Sequence, residues 1–379
     1  MLHKTYQYKL RPTKVQEEQI ERMIGHCRFV YNIAKETREN AYRSNKVSIG
    51  KFDLQKQLKE LRNSNEGEFL KEVPVETLRH AIVRLDESFK KFFRKEANYP
   101  NWAKKGKYRS ITFGQGTPSM INHNRIKLPK LKSVKFFENR KPEGKIKQAT
   151  IVKEMDGYYI SILTEQEQIF NPYLNGENQS IGLDMGISYY LVTSDGEYVE
   201  NPRFFESTMK KLRREQRSLS RKKKGSNNWY EQKRKVAKMH LQVTRQRKDF
   251  LHKLSSKIVR ENSFIALEDL NVKGMVKSRL ARSIGDVSWS MFRSMLQYKS
   301  QWYGREFVLV DPKYTSQTCY MCGHVSKNNR ETQSKFKCEK CGFETNADEN
   351  AAKNILGRAC PMYHNVDHQV ERGAATFKI

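Results

Sequence analysis

Residues 319–341 constrain this chain more than any other stretch. Cys319, Cys322, Cys338 and Cys341 follow the spacing C-x2-C-x15-C-x2-C, with a glycine directly after each pair. Two Cys-x-x-Cys-Gly turns at that separation can bring four thiolates around one tetrahedral Zn²⁺, with backbone amides aimed at the sulfurs. A redox centre would need only one pair, and a catalytic zinc would keep a position open. The spacing predicts a closed structural zinc site at Cys319, Cys322, Cys338 and Cys341, leaving His324 no ligand role. Cys27 lies on an apolar helical stretch and reads as a packed thiol, while Cys360 sits in a polar tail and carries no functional reading. Four of the six cysteines fall within 23 residues, unlike a secreted disulfide framework, so a reducing compartment is expected.

Charge narrows the partner. Against 42 acidic residues the chain has 72 Lys and Arg, a net charge of +30 over 379 residues, far beyond what solubility needs. A polyanion is the natural partner, nucleic acid first. An anionic membrane is the rival, but no stretch reaches the roughly 18 apolar residues a spanning helix needs. The opening MLHKTYQYKL lacks the apolar core of a signal peptide and alternates like a strand. A soluble intracellular, cytoplasmic protein is expected, associated with the nucleoid when on DNA.

After the opening strand, Thr13 and Gln16 form a capping-box pattern behind Pro12. Val15, Ile20, Met23, Ile24, Val30 and Tyr31 carry a helical face toward residue 44. A second helix puts Leu78, Ala81, Ile82, Leu85, Phe89, Phe92 and Phe93 on one stripe, which reads as core. Residues 101–175 turn β-rich in YRSITFG, KSVKFFE, IKQATIVKE and GYYISILTE. With 13 basic against two acidic residues over 101–150, they suggest a small antiparallel barrel or sandwich with a basic face, joined by the opening strand. A boundary is expected at NPYLNGENQ, residues 171–179. Beyond it strands alternate with helices, one of them long, as in an α/β domain.

Three acids stand out there. Gly182, Asp184 and Gly186 share one face of a strand, which leaves room for something bulky to approach the carboxylate. In NSFIALEDLNV, Glu268 and Asp269 end an apolar strand on opposite faces, and parity does not choose between them. An acid near a sheet interior is costly unless a cation neutralises it. In NADENAAKNIL, Asn346 or Asp348 could cap a helix, and Glu349 stands beside Asp348 as an equal candidate. Acids from two strands and one helix start could converge on divalent cations, whose preferred ligands are oxygen.

The ordered set IGLDMGI, FIALEDLNV, YTSQTCYMCG, FKCEKCG and NADENAAKNIL closely resembles the TnpB (OrfB) proteins of bacterial insertion sequences. YQYKLRPTKVQEEQIERMIGHCRFVYN and IKLPKLKSVKFF look like that family's opening, so the resemblance covers the chain to about residue 358. It implies a multidomain α+β protein. A RuvC-like (RNase H-type) α/β nuclease domain would occupy 176–314 and 345–358, with a zinc ribbon inserted at 315–344. A helical recognition lobe would occupy 11–100, a small β-barrel wedge domain 1–10 and 101–175, and a disordered tail 359–379. The activity implied is guide-RNA-directed cleavage of double-stranded DNA beside a short transposon-adjacent motif. By the same resemblance the catalytic, Mg²⁺-binding acids are Asp184, Glu268 and Asp348, in preference to Asp269 and Glu349. Many relatives carry Asp where this chain has Asn346, which is not a motif acid. A compact type V CRISPR effector is the nearest alternative; a guide-dependent DNA-binding regulator would not need all three acids.

Residues 210–235 carry 12 basic and two acidic residues. They read as a phosphate-tracking surface, with Lys211, Arg213, Arg214, Arg217, Arg221, Lys222, Lys223 and Lys224 as candidate contacts, against the plainer reading of a solvated helix face with a loop at Gly225, Ser226, Asn227 and Asn228. Guide pairing would then choose the sequence while the protein grips the heteroduplex by shape. The resemblance points to the helical lobe and TFGQGTPSMINHN for reading the adjacent motif, and leaves one or two copies per guide RNA open.

Overall fold

The computed structural model describes all residues except 115–117, 123, 168–178, 271–287, 333 and 361–379. The expected boundary at 171–179, the centre of TFGQGTPSMINHN and nearly all of the tail therefore lie outside the described residues. The chain forms two compact units, Met1–Gln168 and Ile169–Ile379.

The first unit runs β1 (Leu2–Arg11), α1 (Lys14–Asn45), α2 (Lys51–Asn63), a short 3₁₀ turn (Glu68–Glu72) and α3 (Val75–Phe93). The strands β2 (Ser110–Phe113), β3 (Ser119–Asn122), β4 (Arg125–Leu128), β5 (Lys132–Phe136), β6 (Lys145–Glu154) and β7 (Gly157–Gln166) follow. All pair antiparallel in the order β2-β6-β7-β1-β5-β4-β3, so the opening strand lies mid-sheet. Alternation places Tyr6, Tyr8 and Leu10 of β1 inside. The capping box forms: Thr13 Oγ1 accepts from the Gln16 amide at 3.3 Å, and Gln16 Oε1 from the Thr13 amide at 3.1 Å. Helix α1 ends where Lys46 turns left-handed.

Buried residues of β1, α1, α3 and the later strands share one core, in which Cys27 is packed as expected. The apolar faces are shorter than their periodicity suggests. Val15 in the first turn of α1 is 71 % exposed and Phe93 at the end of α3 is 68 % exposed. Both lie at helix ends, beyond the reach of the neighbours that bury Ile20 and Phe89. Helix α2, which buries only Leu54 and Leu58, had no periodicity strong enough to announce it.

The second unit begins with β8 (Ser180–Met185), β9 (Tyr189–Thr193) and β10 (Tyr198–Glu200). Helices α4 (Phe204–Ser220) and α5 (Asn227–Glu261) lead to β11 (Phe264–Glu268), and α6 (Trp289–Tyr303) leads to β12 (Glu306–Val310). The hairpin β13 (Lys335–Lys337) and β14 (Glu344–Asn346) then precedes α7 (Ala347–Ala359). The main sheet has the order β10-β9-β8-β11-β12. Its first three strands are antiparallel, whereas β11 pairs in parallel with both β8 and β12, as helical crossovers require. Leu183, Leu191, Leu251, Ile265, Phe292 and Leu296 are central to its core.

The long helix expected after β10 is a hairpin of two helices, turning at the loop the sequence offered at 225–228. Gly225 takes φ +89° at the turn, and Ser226 caps α5 by accepting from the Trp229 amide at 3.2 Å. Buried Gln232 clamps the arms, donating to the Glu215 carbonyl at 3.0 Å and carboxylate at 2.8 Å.

Candidate active site and metal centre

Strand register sets the first two acids side by side. Ala266 pairs with Gly182 and Leu267 with Leu183, so Glu268 and Asp184 come next on neighbouring parallel strands. By parity both belong to the face shared by Gly182 and Ala266. Helix α7 covers that face. A Cβ added to Gly182 would lie 2.2 Å from the Ala352 carbonyl oxygen and 2.9 Å from the Leu356 amide nitrogen. One helical turn back from Ala352 is Asp348, about 6 Å along α7; two residues on from Gly182 is Asp184, about 6.6 Å along β8. The third acid is thereby brought over the first.

This corrects the reading of the glycines. The clearance at Gly182 is filled by α7, and that at Gly186 by the Tyr189 carbonyl, 2.8 Å from an added Cβ. The glycines admit backbone, and the helix so admitted carries Asp348. The helix cap is Asn346, whose Oδ1 accepts from the Asp348 amide at 2.8 Å. The Asp348 carboxylate is thus not consumed in capping.

All three acids hold their protons more tightly than free carboxylates, burial being the first cause in each. Burial, then the charges of Glu268 and Asp348, pushes Asp184 up to about 8, with Arg330 opposing. Burial also raises Glu268, against the Thr315 hydroxyl and Arg358. Asp348 is raised by burial against Arg330. Their confounders have other partners. Asp269 pairs with Arg293, and Glu349 accepts from the Tyr198 hydroxyl at 2.6 Å and the Thr345 hydroxyl at 3.2 Å.

Two residues at this centre escaped the sequence reading. Buried Thr315 donates its hydroxyl to Glu268 Oε1. Arg330, from the loop between the two cysteine pairs, places a guanidinium nitrogen 3.4 Å from Asp348 Oδ1. Neither has a local signal: a threonine after a strand and an arginine in a polar loop are ordinary until the fold brings them to the acids.

The four cysteines converge. Their sulfurs all lie within 4.8 Å of one another, with Cys319–Cys341 at 3.7 Å and Cys322–Cys338 at 3.6 Å. A tetrahedron with 2.3 Å Zn–S bonds has edges of about 3.8 Å, so the set fits zinc. The amides of Met321 and Cys322 face the Cys319 sulfur, and those of Lys340 and Cys341 face Cys338. Gly323 and Gly342, at φ +71° and +75°, let each turn close. Among the described residues no carboxylate group is gathered as tightly. The acids are an all-oxygen donor set whose mutual repulsion a divalent cation would relieve, which fits Mg²⁺.

Helix α7 also ties the knuckle to the acids. Buried Asn350 donates to the Thr318 carbonyl at 2.8 Å and accepts from the Tyr320 amide at 3.0 Å. Asn354 donates to the carbonyls of Thr315 and Thr318 at 3.0 and 2.7 Å. The chain entering the first cysteine pair is therefore stitched to the helix that carries Asp348.

The basic candidates fall on the α4–α5 hairpin. Lys211, Arg213, Arg214 and Arg217 lie on α4, Arg221 caps its end, and Lys222, Lys223 and Lys224 form the turn. All are exposed except half-buried Lys222, and Arg214 pairs with Glu215 at 3.4 Å. No helix among the described residues is long and apolar enough to cross a membrane.

Three family models match the chain. One described as "Probable transposase" (the OrfB group of IS605 elements) covers residues 161–279, a Cas12f1-like TNB domain covers 289–355, and a helix-turn-helix domain covers 1–46. A relative from Escherichia coli K12, "Putative RNA-guided DNA endonuclease InsQ", is 38 % identical over 93 % of this chain and 91 % of its own length. A "Putative RNA-guided DNA endonuclease" from Streptomyces pristinaespiralis is 34 % identical over 93 % of this chain and 88 % of its own. Among solved structures, CasPhi-2 (Cas12j) bound to crRNA aligns over 94 % of this chain and 97 % of its own at 10 % identity and a TM-score of 0.48, too distant to carry an argument. Together with a zinc-fitting cysteine cluster and three acids at one sheet end, these matches show that the chain belongs to the TnpB/OrfB family of IS605-type elements.

Proposed function

We propose that this protein is an RNA-guided DNA endonuclease of the IS605 TnpB type that cuts double-stranded DNA beside a short transposon-adjacent motif. The observation that carries the reading is the meeting of Asp184, Glu268 and Asp348, from three separate elements, at the carboxyl end of the parallel strands. The two relatives named as RNA-guided DNA endonucleases support it over nearly the full chain.

Asp184, Glu268 and Asp348 would hold two Mg²⁺, which supply an activated water and stabilise the leaving oxygen of the phosphodiester. The chain's own residues set that site up. Thr315 holds one oxygen of Glu268, and Asn346 fixes the start of α7 so that Asp348 turns inward. Arg330 adds a positive charge where phosphate would enter, and a guanidinium suits phosphate oxygens. The four cysteines would hold a structural zinc that keeps Arg330 and α7 in place. The exposed cations of the α4–α5 hairpin would track the backbone of guide RNA or target without reading sequence.

The domain division follows the same reading. Residues 11–100 would form the recognition lobe, and residues 1–10 with 101–175 the wedge barrel. Residues 176–314 with 345–358 would be the nuclease domain and 315–344 the ribbon.

The test is to express the protein with its native flanking DNA, sequence the RNA that co-purifies, and challenge the complex with DNA matching that RNA. One discrete RNA overlapping the 3′ end of the gene, with Mg²⁺-dependent cutting abolished by Asp184→Asn, is the expected result. A processed repeat–spacer RNA would assign the protein to the CRISPR effectors. Heterogeneous RNA and no cutting would refute guided cleavage.

A further inference from the structure

A cleft of about 260 Å³ opens beside Glu268. One side is Met185, the residue after Asp184, together with Leu270; the other is the start of α6. Along α6 the residues facing it are Ser290, Arg293, Ser294 and Gln297, spaced i, i+3, i+4, i+7 and so on a single face. Trp289, only 3 % exposed, also lines the cleft, and its indole Nε1 has no hydrogen-bond partner among the described residues. Arg293 stands at the rim, already paired with Asp269, and the Ser294 hydroxyl donates to the Ser290 carbonyl at 2.9 Å.

This lining is wrong for a phosphate, because its one cation is engaged by a carboxylate and Glu268 forms part of the wall. It suits a flat, apolar-faced group with polar edges. Met185, Leu270 and the edge of the Trp289 ring offer apolar contact, while the Gln297 amide and the hydroxyls of Ser290 and Ser294 offer edge hydrogen bonds. The volume lies just under the roughly 300 Å³ at which small-ligand pockets begin.

We propose that this cleft binds one unpaired nucleobase of the strand being cut, next to the scissile phosphate, and that Gln297 gives the cleavage position a base preference. The proposal rests on the nuclease reading above and deepens it: guide pairing selects the target, and the α6 cleft selects where within the unwound strand the bond is broken. Gln can pair two-pronged with an adenine edge, which makes adenine the expected preferred base.

The guide complex is tested on a target pool randomised around the cut, with the ends sequenced. Wild type is expected to enrich one base beside the cut, and Gln297→Ala to flatten that enrichment at least threefold. Ser294→Phe, which fills the cleft from an exposed helix position, is expected to slow cutting at least 50-fold while target binding stays within twofold. Unchanged base usage in Gln297→Ala, full-speed cutting by Ser294→Phe, or loss of binding alongside cutting would each overturn the proposal. A second measurement is independent of cutting. The Asp184→Asn complex is photocrosslinked to a target carrying 5-iododeoxyuridine at successive positions in the cut strand. Crosslinks to the peptide 289–297 support the cleft even if the wild type never cuts, and their absence at every position refutes it.

Discussion

Gly182 on β8 and Ala352 on α7 meet backbone to backbone: a single added Cβ at Gly182 would sit 2.2 Å from the Ala352 carbonyl oxygen. This close approach sets the height of α7 above the sheet, and with it the position of Asp348 over Asp184.

Gly182→Ala should therefore act twice. Helix α7 must shift, costing about 1–3 kcal/mol of stability as overpacking does, and Asp348 moves with it. Cutting should fall at least 100-fold while guide RNA binding is retained. Equilibrium unfolding beside a cleavage assay checks both, and wild-type cutting in a destabilised variant would show that α7 does not position the acid.

Asp184→Asn and Glu268→Gln should each lower cutting at least 1,000-fold without loss of target binding, since electrostatic stabilisation of the reaction is their task. Asp269→Asn, by contrast, should stay within about fivefold, because Asp269 is engaged with Arg293. Single-turnover cleavage separates the two acids that sequence parity left tied.

One zinc per chain is expected by elemental analysis, and Cys338→Ser should release it. Because Asn350 and Asn354 stitch the knuckle to α7, cutting should drop at least tenfold with the metal. A folded, zinc-free variant that cuts normally would uncouple the ribbon from the acids.

Replacing Lys222, Lys223 and Lys224 with alanine should weaken nucleic-acid binding at every sequence. For every lysine that neutralises a phosphate, its removal should make the slope of log K against log salt shallower by about 0.7–0.9. Titrations at several salt concentrations read this directly, and an unchanged slope would make the turn a solvated surface.

Lys299 makes a pH-dependent contribution away from the acids. Buried between α5 and α6, its Nζ donates to the His252 carbonyl at 2.7 Å and to the Ser255 and Ser256 hydroxyls at 2.7 and 2.8 Å. Burial, helped by Arg260, lowers its pKa from 10.5 to about 8. With the folded value below the unfolded one, the cost of burying the charge is fully present below about pH 8. It is relieved as pH rises toward 10.5. Relative to Lys299→Met, the wild type should gain stability across that window, by at most about 1.4 kcal/mol per pH unit. Urea melts at pH 7.5, 9 and 10 compare the two, and parallel curves would refute the charged burial.

The cysteine spacing determined the metal centre without help, because a tetrahedral site made of two tight turns is a local object. The capping box at Thr13 and Gln16 and the alternation of β1 were equally legible, being set by neighbours a few residues apart. The candidate acids could be named for the same reason, but parity leaves Glu268 and Asp269 equivalent and capping leaves Asp348 and Glu349 equivalent, so in the sequence the choice rested on the family resemblance alone. The physical reason for that choice lies in packing, since the face that α7 covers is defined by strands and a helix far apart in sequence. Thr315 and Arg330 were invisible for that reason. Their residue types are common, and proximity to Glu268 and Asp348 arises only when the chain on either side of the knuckle folds back onto the sheet. Composition likewise announced a basic, helical stretch at 210–235 with a loop at 225–228, but that its two arms fold back on each other depends on Gln232 finding Glu215 across the hairpin. Short-range spacing was written in the sequence; which long-range neighbours meet was decided by the tertiary fold, because burial depends on what arrives from elsewhere in the chain.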